Sequence, residues 1–367
     1  MRKTGEQLRI AFAAGGTGGH IFPALALARE FQRRDPRAEI VFFGTRRGLE
    51  TKLIPSSGYR LCLIEVEALK GRGAAGVFRS LAKLPRAIFS SGRSLREMHP
   101  PLAVGLGGYA SGPVLLAAYL LRIPTALVEP NSIPGLANRL LGRLARRIFI
   151  AFPRTRAYFP EKRVRLTGNP LRPEVLPGFS PAVPPAKDGF TLLVLGGSQG
   201  AKTINASVLA GMPELARAIP RFQVIHQTGS ADRAGVERAY REAGLPVTVL
   251  DFIEDMGRVY AQADLVIARA GAATLAELTA WGKPAILVPY PFAADQHQRE
   301  NSRALVEKGA ALMFEDRELS GPVLARAVLD LYRDEKRREE MGKKSRELAH
   351  PEAREEIVNQ CLELIQS

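Results

Sequence analysis

Short apolar segments alternate with helical patterns along almost the whole chain, and this alternation constrains the fold more than any other feature. It is typical of βαβ units, in which helices cover a sheet of parallel strands. In the first half, strands are predicted at residues 10–14, 40–43, 61–66, 102–106, 125–128 and 147–150. In the second half, they are predicted at 190–197, 222–227, 247–252, 263–268, 283–291 and 311–316. Roughly the last 35 residues favour two amphipathic helices.

A cluster of prolines interrupts this alternation in the segment NPLRPEVLPGFSPAVPPAKDG. Proline fixes φ and lacks an N–H group, which excludes the segment from helix interiors and central strands. We therefore predict two doubly wound α/β domains, at 1–169 and 190–350, joined by a linker at 170–189. The last helix, at 351–367, is expected to pack on the first domain. Ligands of open α/β sheets bind beyond the carboxyl ends of strands, which favours a cleft where the two domains face each other.

Length and composition are those of a globular protein with room for two cores: 367 residues, 46% hydrophobic and 24% charged. The first apolar stretch, at 10–14, is too short for a signal peptide. The longer run Val114–Leu121 falls well short of the about 20 residues that a spanning helix needs. Cys62 and Cys361 lie far apart in the sequence, and a reducing, cytoplasmic setting is expected.

Positive charge is concentrated in the first half. Residues 1–170 contain 28 Lys and Arg against 10 Asp and Glu, whereas residues 171–367 contain 24 against 27. The net charges of +18 and −3 predict an anionic partner for the first half, either a phosphorylated substrate, an anionic membrane surface or nucleic acid. Solubility alone is the other explanation. A nucleic acid is disfavoured, because aromatic residues make up 7% of the chain and do not alternate with basic ones.

Three glycine-rich turns each follow a predicted strand: GGTGGH at 15–20, GLGGYASGP at 105–113 and GGSQGA at 196–201. A glycine turn between strand and helix leaves backbone N–H groups available to an anion, so the turns predict phosphate binding. They could also serve only to reverse the chain. The second turn fits Gly-x-Gly-x-x-Ala, with Glu129 about 20 residues later, so a nicotinamide enzyme is a further alternative. Against it, Tyr109 would crowd a pyrophosphate.

Two other features suggest chemistry. His20 ends the first turn, where a helix N-terminus favours neutral imidazole, the form that a general base requires; a capping role is the alternative. Residues 295–301, DQHQREN, are rich in amides and acids that suit the hydroxyls of a sugar, unless they only begin a solvated helix. The sequence has no Asp-x-Asp motif, so no ligands for a metal-bound diphosphate are predicted.

The segment 67–99 mixes apolar with basic residues and admits two interpretations. Its helices can pack on the sheet, or they can form a basic amphipathic surface for a membrane.

Six motifs, GGTGGH, GGYASGP, GNPLR, GGSQGA, DFIEDM and RAGAATLAE, occur in this order and resemble the MurG family. The resemblance implies the GT-B fold of two Rossmann-like domains facing a cleft, with the lipid acceptor on the first domain and the nucleotide sugar on the second. It implies inverting transfer of N-acetylglucosamine from UDP-GlcNAc to the MurNAc 4-hydroxyl of undecaprenyl-diphospho-muramyl-pentapeptide. It also implies a peripheral protein on the cytoplasmic face of the membrane and no cofactor. Alternatives are a UDP-sugar epimerase of the same fold and a non-catalytic nucleotide-sugar-binding protein.

Matching motif positions imply roles for individual residues. The general base is expected to be His20 or Glu129. Contacts with UDP-GlcNAc are implied for Thr17, Gly18, Gly19, Asn131, Arg172, Ser198, Ile253, Thr274, Glu277 and Gln298. Contacts with the acceptor diphosphate are implied for Gly16, Gly107, Gly108, Tyr109 and Ser111. Within the donor set, Ile253 would present its backbone to uracil, Glu277 would bond the ribose, and Gln298 the sugar hydroxyls. The chain departs from many relatives at Val128 and Pro130, where they carry His and Gln.

Overall fold

The computed structural model of the chain describes residues 7–46, 48–66, 74–179, 189–197, 200–245 and 247–366, with the backbone alone at 74–82. The chain divides into two compact units. Unit 1 comprises Met1–Arg172 and Pro351–Ser367, and unit 2 comprises Pro173–His350. The division after Arg172 falls within the segment that the prolines predicted as a linker.

Unit 1 contains a seven-stranded sheet in which every strand pair is parallel. Its strands are β1 (Arg9–Ala14), β2 (Glu39–Gly44), β3 (Arg60–Leu63), β4 (Leu102–Gly107), β5 (Thr125–Glu129), β6 (Arg147–Ile150) and β7 (Val164–Leu166). Their order is β3-β2-β1-β4-β5-β6-β7. The chain therefore reverses its direction across the sheet between β1 and β4, the point at which doubly wound sheets bind ligands.

The helices of unit 1 cover both faces of this sheet. They are α1 (Gly18–Arg34), α2 (Glu50–Ser56), α3 (Ala74–Met98), α4 (Ser111–Leu120), α5 (Leu136–Leu141) and the C-terminal α13 (Ala353–Gln366). Helix α13 packs on α1, where Ile357 lies in the same hydrophobic core as Phe31. The buried carboxylate of Glu30 on α1 joins the two helices, because it pairs with Arg354 at 3.5 Å as well as with arginines of its own helix.

Unit 2 contains a six-stranded parallel sheet of the same kind. Its strands are β8 (Phe190–Leu195), β9 (Phe222–Gln227), β10 (Val247–Leu250), β11 (Leu265–Ala268), β12 (Ala285–Leu287) and β13 (Ala311–Met313), in the order β10-β9-β8-β11-β12-β13. Its helices are α6 (Lys202–Ala218), α7 (Arg233–Glu242), α8 (Met256–Gln262), α9 (Ala272–Trp281), α10 (His297–Val306), α11 (Gly321–Arg333) and α12 (Glu335–Glu347). Here the reversal lies between β8 and β11.

The structure confirms the predicted fold class of two doubly wound α/β domains and a strand in each predicted segment. It differs at two places. The edge strand β7 was not predicted, because it has three residues and carries the polar Arg165 in the middle. Proline is common in the first turn of a helix and so predicts a helix start at Pro23, but α1 begins at Gly18 and Pro23 lies inside it. Among the described helices, none has the length and apolar character to span a bilayer.

Candidate active site

The first two glycine turns lie side by side at the reversal point of unit 1. Strands β1 and β4 are paired neighbours, with Ala14 opposite Gly107, so the turns that follow them begin at adjacent positions. Gly108 has φ +77° and packs directly on the first turn, since a Cβ there would lie 2.4 Å from the carbonyl oxygen of Gly15. Only glycine permits this backbone conformation and this approach at little cost.

His20 lies where the two turns meet. Its Nδ1 is 3.3 Å from the carbonyl oxygen of Gly15. A carbonyl oxygen can only accept a hydrogen bond, so this contact favours the tautomer that carries its proton on Nδ1. The Nε2 atom faces Gly107, where a Cβ would be 3.0 Å away. In this tautomer Nε2 has the lone pair that accepts a proton, directed over the second turn.

Glu129 ends β5, the strand next to β4, and holds two asparagines. Its Oε1 accepts hydrogen bonds from the backbone N–H and side-chain amide of Asn131, at 2.9 and 3.2 Å. Its Oε2 accepts one from the amide of Asn138 at 2.8 Å. The carboxyl group is 2% exposed, and burial raises its pKa to about 7. Glu129 therefore orients the Asn131 side chain, and its burial favours the neutral carboxyl group.

Asn138 connects Glu129 with the turns, and no motif or pattern in the sequence indicated it. It lies on the short helix α5 and is 3% exposed. The amide that donates to Glu129 would lie 3.5 Å from a Cβ on Gly107, the same position that Nε2 of His20 approaches. The structure thus brings His20, Gly107, Asn138 and Glu129 together around one backbone position.

Two residues predicted at the acceptor diphosphate are engaged within the protein. The N–H of Gly16 donates to the buried Glu50 at 2.9 Å. Ser111 is fully buried, and its hydroxyl accepts from the N–H of Gly107 at 3.0 Å and lies 2.8 Å from the carbonyl oxygen of Ala13. The Ser111 hydroxyl therefore shapes the second turn, and its contact with the acceptor diphosphate stays a prediction. Tyr109 on the same turn is 50% exposed.

The N-terminus of α1 adjoins a fixed cation. Every α-helix leaves its first N–H groups without partners inside the helix, which here are those of Gly18 and Gly19. The guanidinium of Arg172 lies 4.7 Å from the ring centroid of Phe22, on the following turn of the helix. Thr17, which precedes the helix, is exposed. Helix N–H groups and an arginine beside them form an environment suited to an anion.

In unit 2, the implied donor residues follow strands of its sheet or lie on the next helix. Glu277 on α9 accepts a hydrogen bond at 3.0 Å from the hydroxyl of the fully buried Tyr260. Gln298 on α10 accepts one at 2.9 Å from the N–H of Tyr290. Ile253, three residues after β10, is buried. The remaining two are Thr274, half-buried in the first turn of α9, and Ser198, which lies outside the described residues.

Arg269, the first residue of RAGAATLAE, was not singled out in the sequence. It donates to the carbonyl oxygens of Val288 and Pro289, both at 3.2 Å, and pairs with Asp316. Asp316 in turn accepts from Thr203 of α6 at 2.7 Å. Arg269 therefore ties together the segments that follow β11, β12 and β13. Among the described residues, no group of His, Cys, Asp and Glu side chains is arranged to hold a metal ion.

Comparison with known proteins covers both units. The N-terminal domain model of glycosyltransferase family 28 matches residues 10–150, and the C-terminal domain model of that family matches residues 191–357. A protein of Anaeromyxobacter dehalogenans (strain 2CP-C) is 48% identical over 98% of this chain and 93% of its own length. One of Myxococcus xanthus is 45% identical over 98% and 93%. Both are named UDP-N-acetylglucosamine–N-acetylmuramyl-(pentapeptide) pyrophosphoryl-undecaprenol N-acetylglucosamine transferase.

A solved structure of a MurG protein also matches this chain over nearly its full length. The crystal structure of Acinetobacter baumannii MurG superposes with a TM-score of 0.79 at 32% identity and covers 98% of this chain and all of that one. A UDP-GlcNAc 2-epimerase from Neisseria meningitidis superposes with a TM-score of 0.67 at 14% identity over 98% of this chain and all of its own, a likeness of fold alone. The matches to both domain models, together with full-length identities of 45 to 48%, show that this chain belongs to the MurG family of N-acetylglucosamine transferases, within glycosyltransferase family 28.

Proposed function

We propose that this chain transfers N-acetylglucosamine from UDP-GlcNAc to the MurNAc 4-hydroxyl of undecaprenyl-diphospho-muramyl-pentapeptide, with inversion at the anomeric carbon. One observation carries the proposal. The 48% identity to a relative named for this transfer extends over 98% of the chain, and so includes both units. The epimerase alternative has weaker support, because its representatives share only the fold at 14% identity or less.

His20 is the proposed general base. The contact of Nδ1 with the carbonyl oxygen of Gly15 favours the tautomer in which Nε2 is the basic nitrogen, and we infer that Nε2 takes the proton of the attacking hydroxyl. The same contact stabilises the imidazolium that forms, since Nδ1 keeps its hydrogen bond. The other candidate, Glu129, is 2% exposed and already accepts three hydrogen bonds, so its geometry suits orienting Asn131 better than meeting a substrate.

The leaving diphosphate gains negative charge as the glycosidic bond breaks. We infer that Arg172 and the N–H groups of Gly18 and Gly19 stabilise this charge, with Thr17 beside them. Donors that are already fixed before the reaction need no reorganisation, which makes such stabilisation effective. Arg172 is held on Phe22 at 4.7 Å and is therefore oriented in advance.

In unit 2, the proposed donor contacts are those that the motifs implied. Ile253 offers its backbone to uracil, Glu277 bonds the ribose hydroxyls, and Gln298 bonds the sugar. Two hydrogen bonds support this assignment, because Tyr260 and the N–H of Tyr290 each fix the carboxylate or amide that would meet the donor. Thr274 and Ser198 complete the proposed set.

Release of UDP from UDP-GlcNAc, measured with and without a lipid-linked muramyl-pentapeptide acceptor, tests the proposal. Wild-type chain should release UDP only with acceptor. His20→Ala should lower kcat by about 10² to 10⁴ and leave donor affinity unchanged. Equal release without acceptor would instead indicate a hydrolase or an epimerase, and a chain that does not bind UDP-GlcNAc would contradict the assignment.

We also propose that unit 1 contacts an anionic membrane surface, on the cytoplasmic side. Helix α3 exposes Phe89 (72%) with Arg86 and Arg93 one turn to either side, and the neighbouring α4 ends at the exposed Leu120 (65%). Apolar side chains flanked by arginines bind anionic interfaces through burial and charge together. The part of the segment 67–99 before residue 83 has no described side chains.

Sedimentation with vesicles tests this contact. The chain should bind vesicles of phosphatidylglycerol more strongly than vesicles of phosphatidylcholine, and Phe89→Ser should weaken that binding. Phe292→Ser is the matched control, because Phe292 is an equally exposed phenylalanine (82%) in unit 2. Equal effects of the two substitutions would contradict a membrane surface on α3.

A further inference from the structure

The first glycine turn is built around a buried carboxylate that none of the expected roles uses. Glu50 begins α2 and is 0% exposed. Its Oε2 accepts the N–H of Gly16 at 2.9 Å, and its Oε1 accepts both the N–H and the hydroxyl of Thr45, at 3.0 and 2.8 Å. Burial raises the pKa of Glu50, but the hydrogen bonds from Gly16 and Thr45 outweigh it and bring the pKa below its ordinary value. The carboxylate is therefore charged.

Three glycines leave the space that this carboxylate fills. A Cβ on Gly15 would lie 2.8 Å from Oε1, and one on Gly48 would lie 1.7 Å from Oε2. A Cβ on Gly44 would lie 2.8 Å from Cγ of Glu50. Real Cβ atoms do not approach so closely, so a side chain at any of these positions would displace the carboxylate. Glycine is therefore required on the side of the first turn that faces Glu50, because a side chain there would occupy the space of the carboxylate.

The outer side of the same turn carries the proposed base. Gly16 has φ +92° and faces open space, while its N–H is turned inward to Glu50. The preceding carbonyl, that of Gly15, receives Nδ1 of His20 and lies under Gly108 of the second turn. A shift of Gly15 and Gly16 would therefore move His20 relative to Gly107.

We propose that Glu50 is a positioning residue, which holds the first turn so that the Gly15 carbonyl fixes the tautomer and place of His20. This inference rests on the proposed function only for its effect on catalysis. Its structural part, the dependence of His20 on Glu50, stands independently of the reaction.

Glu50→Gln should keep the hydrogen bonds from Thr45 and lose the one from the N–H of Gly16. The single oxygen of glutamine can keep both bonds from Thr45, which turns its NH₂ group toward the N–H of Gly16, so that two donors oppose each other. Glu50→Asp keeps the charge but withdraws the carboxylate by one methylene group from Gly16. Thr45→Val is the matched control within the cluster, because it removes one donor to Glu50 and leaves the bond to Gly16 in place.

Glu30→Gln is the control for lost stability. Glu30 is also a buried carboxylate (1% exposed), but it lies on α1 away from the turn and pairs with arginines. Two readouts apply to all four variants: steady-state kinetics with both substrates, and ¹⁵N NMR of the histidine side chains. The chain has 5 histidines, so the signals of His20 can be assigned with His20→Ala.

Both Glu50 variants should lower kcat by about 10²-fold, the cost of displacing a catalytic group by about 1 Å. Their His20 nitrogen signals should move away from the Nδ1–H tautomer, whereas those of Thr45→Val and Glu30→Gln should not. Folded Glu50 variants with wild-type kcat and wild-type His20 signals would overturn the proposal. So would equal changes in Glu30→Gln. A wild-type chain without acceptor-dependent transfer would refute the proposed function, and the NMR readout would still decide the role of Glu50.

Discussion

Gly107 and His20 face each other so closely that a methyl group on Gly107 would lie 3.0 Å from Nε2 of His20. Gly107 also has φ +100°, a conformation that other residues rarely adopt. Gly107→Ala should therefore strain the second turn and crowd the proposed base. We expect a loss of about 1 to 3 kcal/mol in the free energy of unfolding and a fall in kcat of at least about tenfold.

Gly235→Ala provides the comparison for Gly107→Ala. Gly235 lies in α7, outside the motifs of the site, and apart from its chain neighbours and the adjacent backbone of its own helix no atom comes within 4 Å of its Cβ position. Alanine there should stabilise the helix by about 0.5 to 1 kcal/mol and leave kcat unchanged. Equal kinetics for the two variants would show that the space over Gly107 is not used. Thermal unfolding measures the change in stability, and UDP release measures the change in kcat.

The raised pKa of Glu129 predicts a pH dependence of stability. Burial raises that pKa from 4.5 to about 7, so between these values the folded chain keeps a proton that the unfolded chain has released. The free energy of unfolding should therefore fall as the pH rises through this interval. At about 1.4 kcal/mol per pKa unit, the full change is up to about 3 kcal/mol.

Glu129→Gln removes this titration. The stability of the variant relative to wild type should improve by up to about 3 kcal/mol between pH about 4 and pH about 8. Urea denaturation at the two pH values measures the difference. A constant difference would mean that the pKa of Glu129 is the same in the folded and the unfolded chain.

Tyr260→Phe should weaken donor binding without altering the acceptor side. The hydroxyl of Tyr260 donates to Glu277, and a hydrogen bond to a charged group contributes about 1.5 to 3 kcal/mol. We expect KM for UDP-GlcNAc to rise about tenfold. A donor that lacks the ribose hydroxyls should bind wild type and variant equally, because Glu277 then has nothing to bond. An equal loss with both donors would assign Tyr260 a purely structural role.

Helix α13 should stabilise unit 1 and have no effect on the stability of unit 2. Ile357 is fully buried against the core of that unit, and Ile357→Ala should cost about 2 to 5 kcal/mol. Leu331→Ala is the reciprocal variant, because Leu331 is equally buried in unit 2. In scanning calorimetry, each substitution should lower the transition of its own unit. A shift of both transitions by either variant would show that the units unfold together.

Much of the architecture could be predicted because it depends on local patterns. The apolar runs at 10–14 and 102–106 are continuous, as expected for parallel strands that are buried on both faces. The prolines between residues 170 and 185 cannot join a helix interior or a central strand, and the two units divide there. Among the strands in the described part of the chain, β7 alone lacked such a pattern, because it has three residues and an arginine in the middle.

The motif residues of the site were also visible in the sequence, but their partners were not. Glu50 begins an ordinary helix, Asn138 lies in a short one, and Tyr260 is a tyrosine in an amphipathic pattern. Each acts on a motif residue at least nine positions away, and Glu50 reaches Gly16 across 34. No local periodicity records a hydrogen bond between residues so distant in the chain.

The sequence by itself determined the two sheets, the glycine turns and the position of His20 at one of them, because strand, turn and helix propensities are properties of neighbouring residues. Only the tertiary structure decided which backbone groups of those turns remain available. A buried polar group must find a partner wherever the fold brings one close. In this fold the N–H of Gly16 donates to Glu50, and the carbonyl oxygen of Gly15 is in hydrogen-bond contact with Nδ1 of His20.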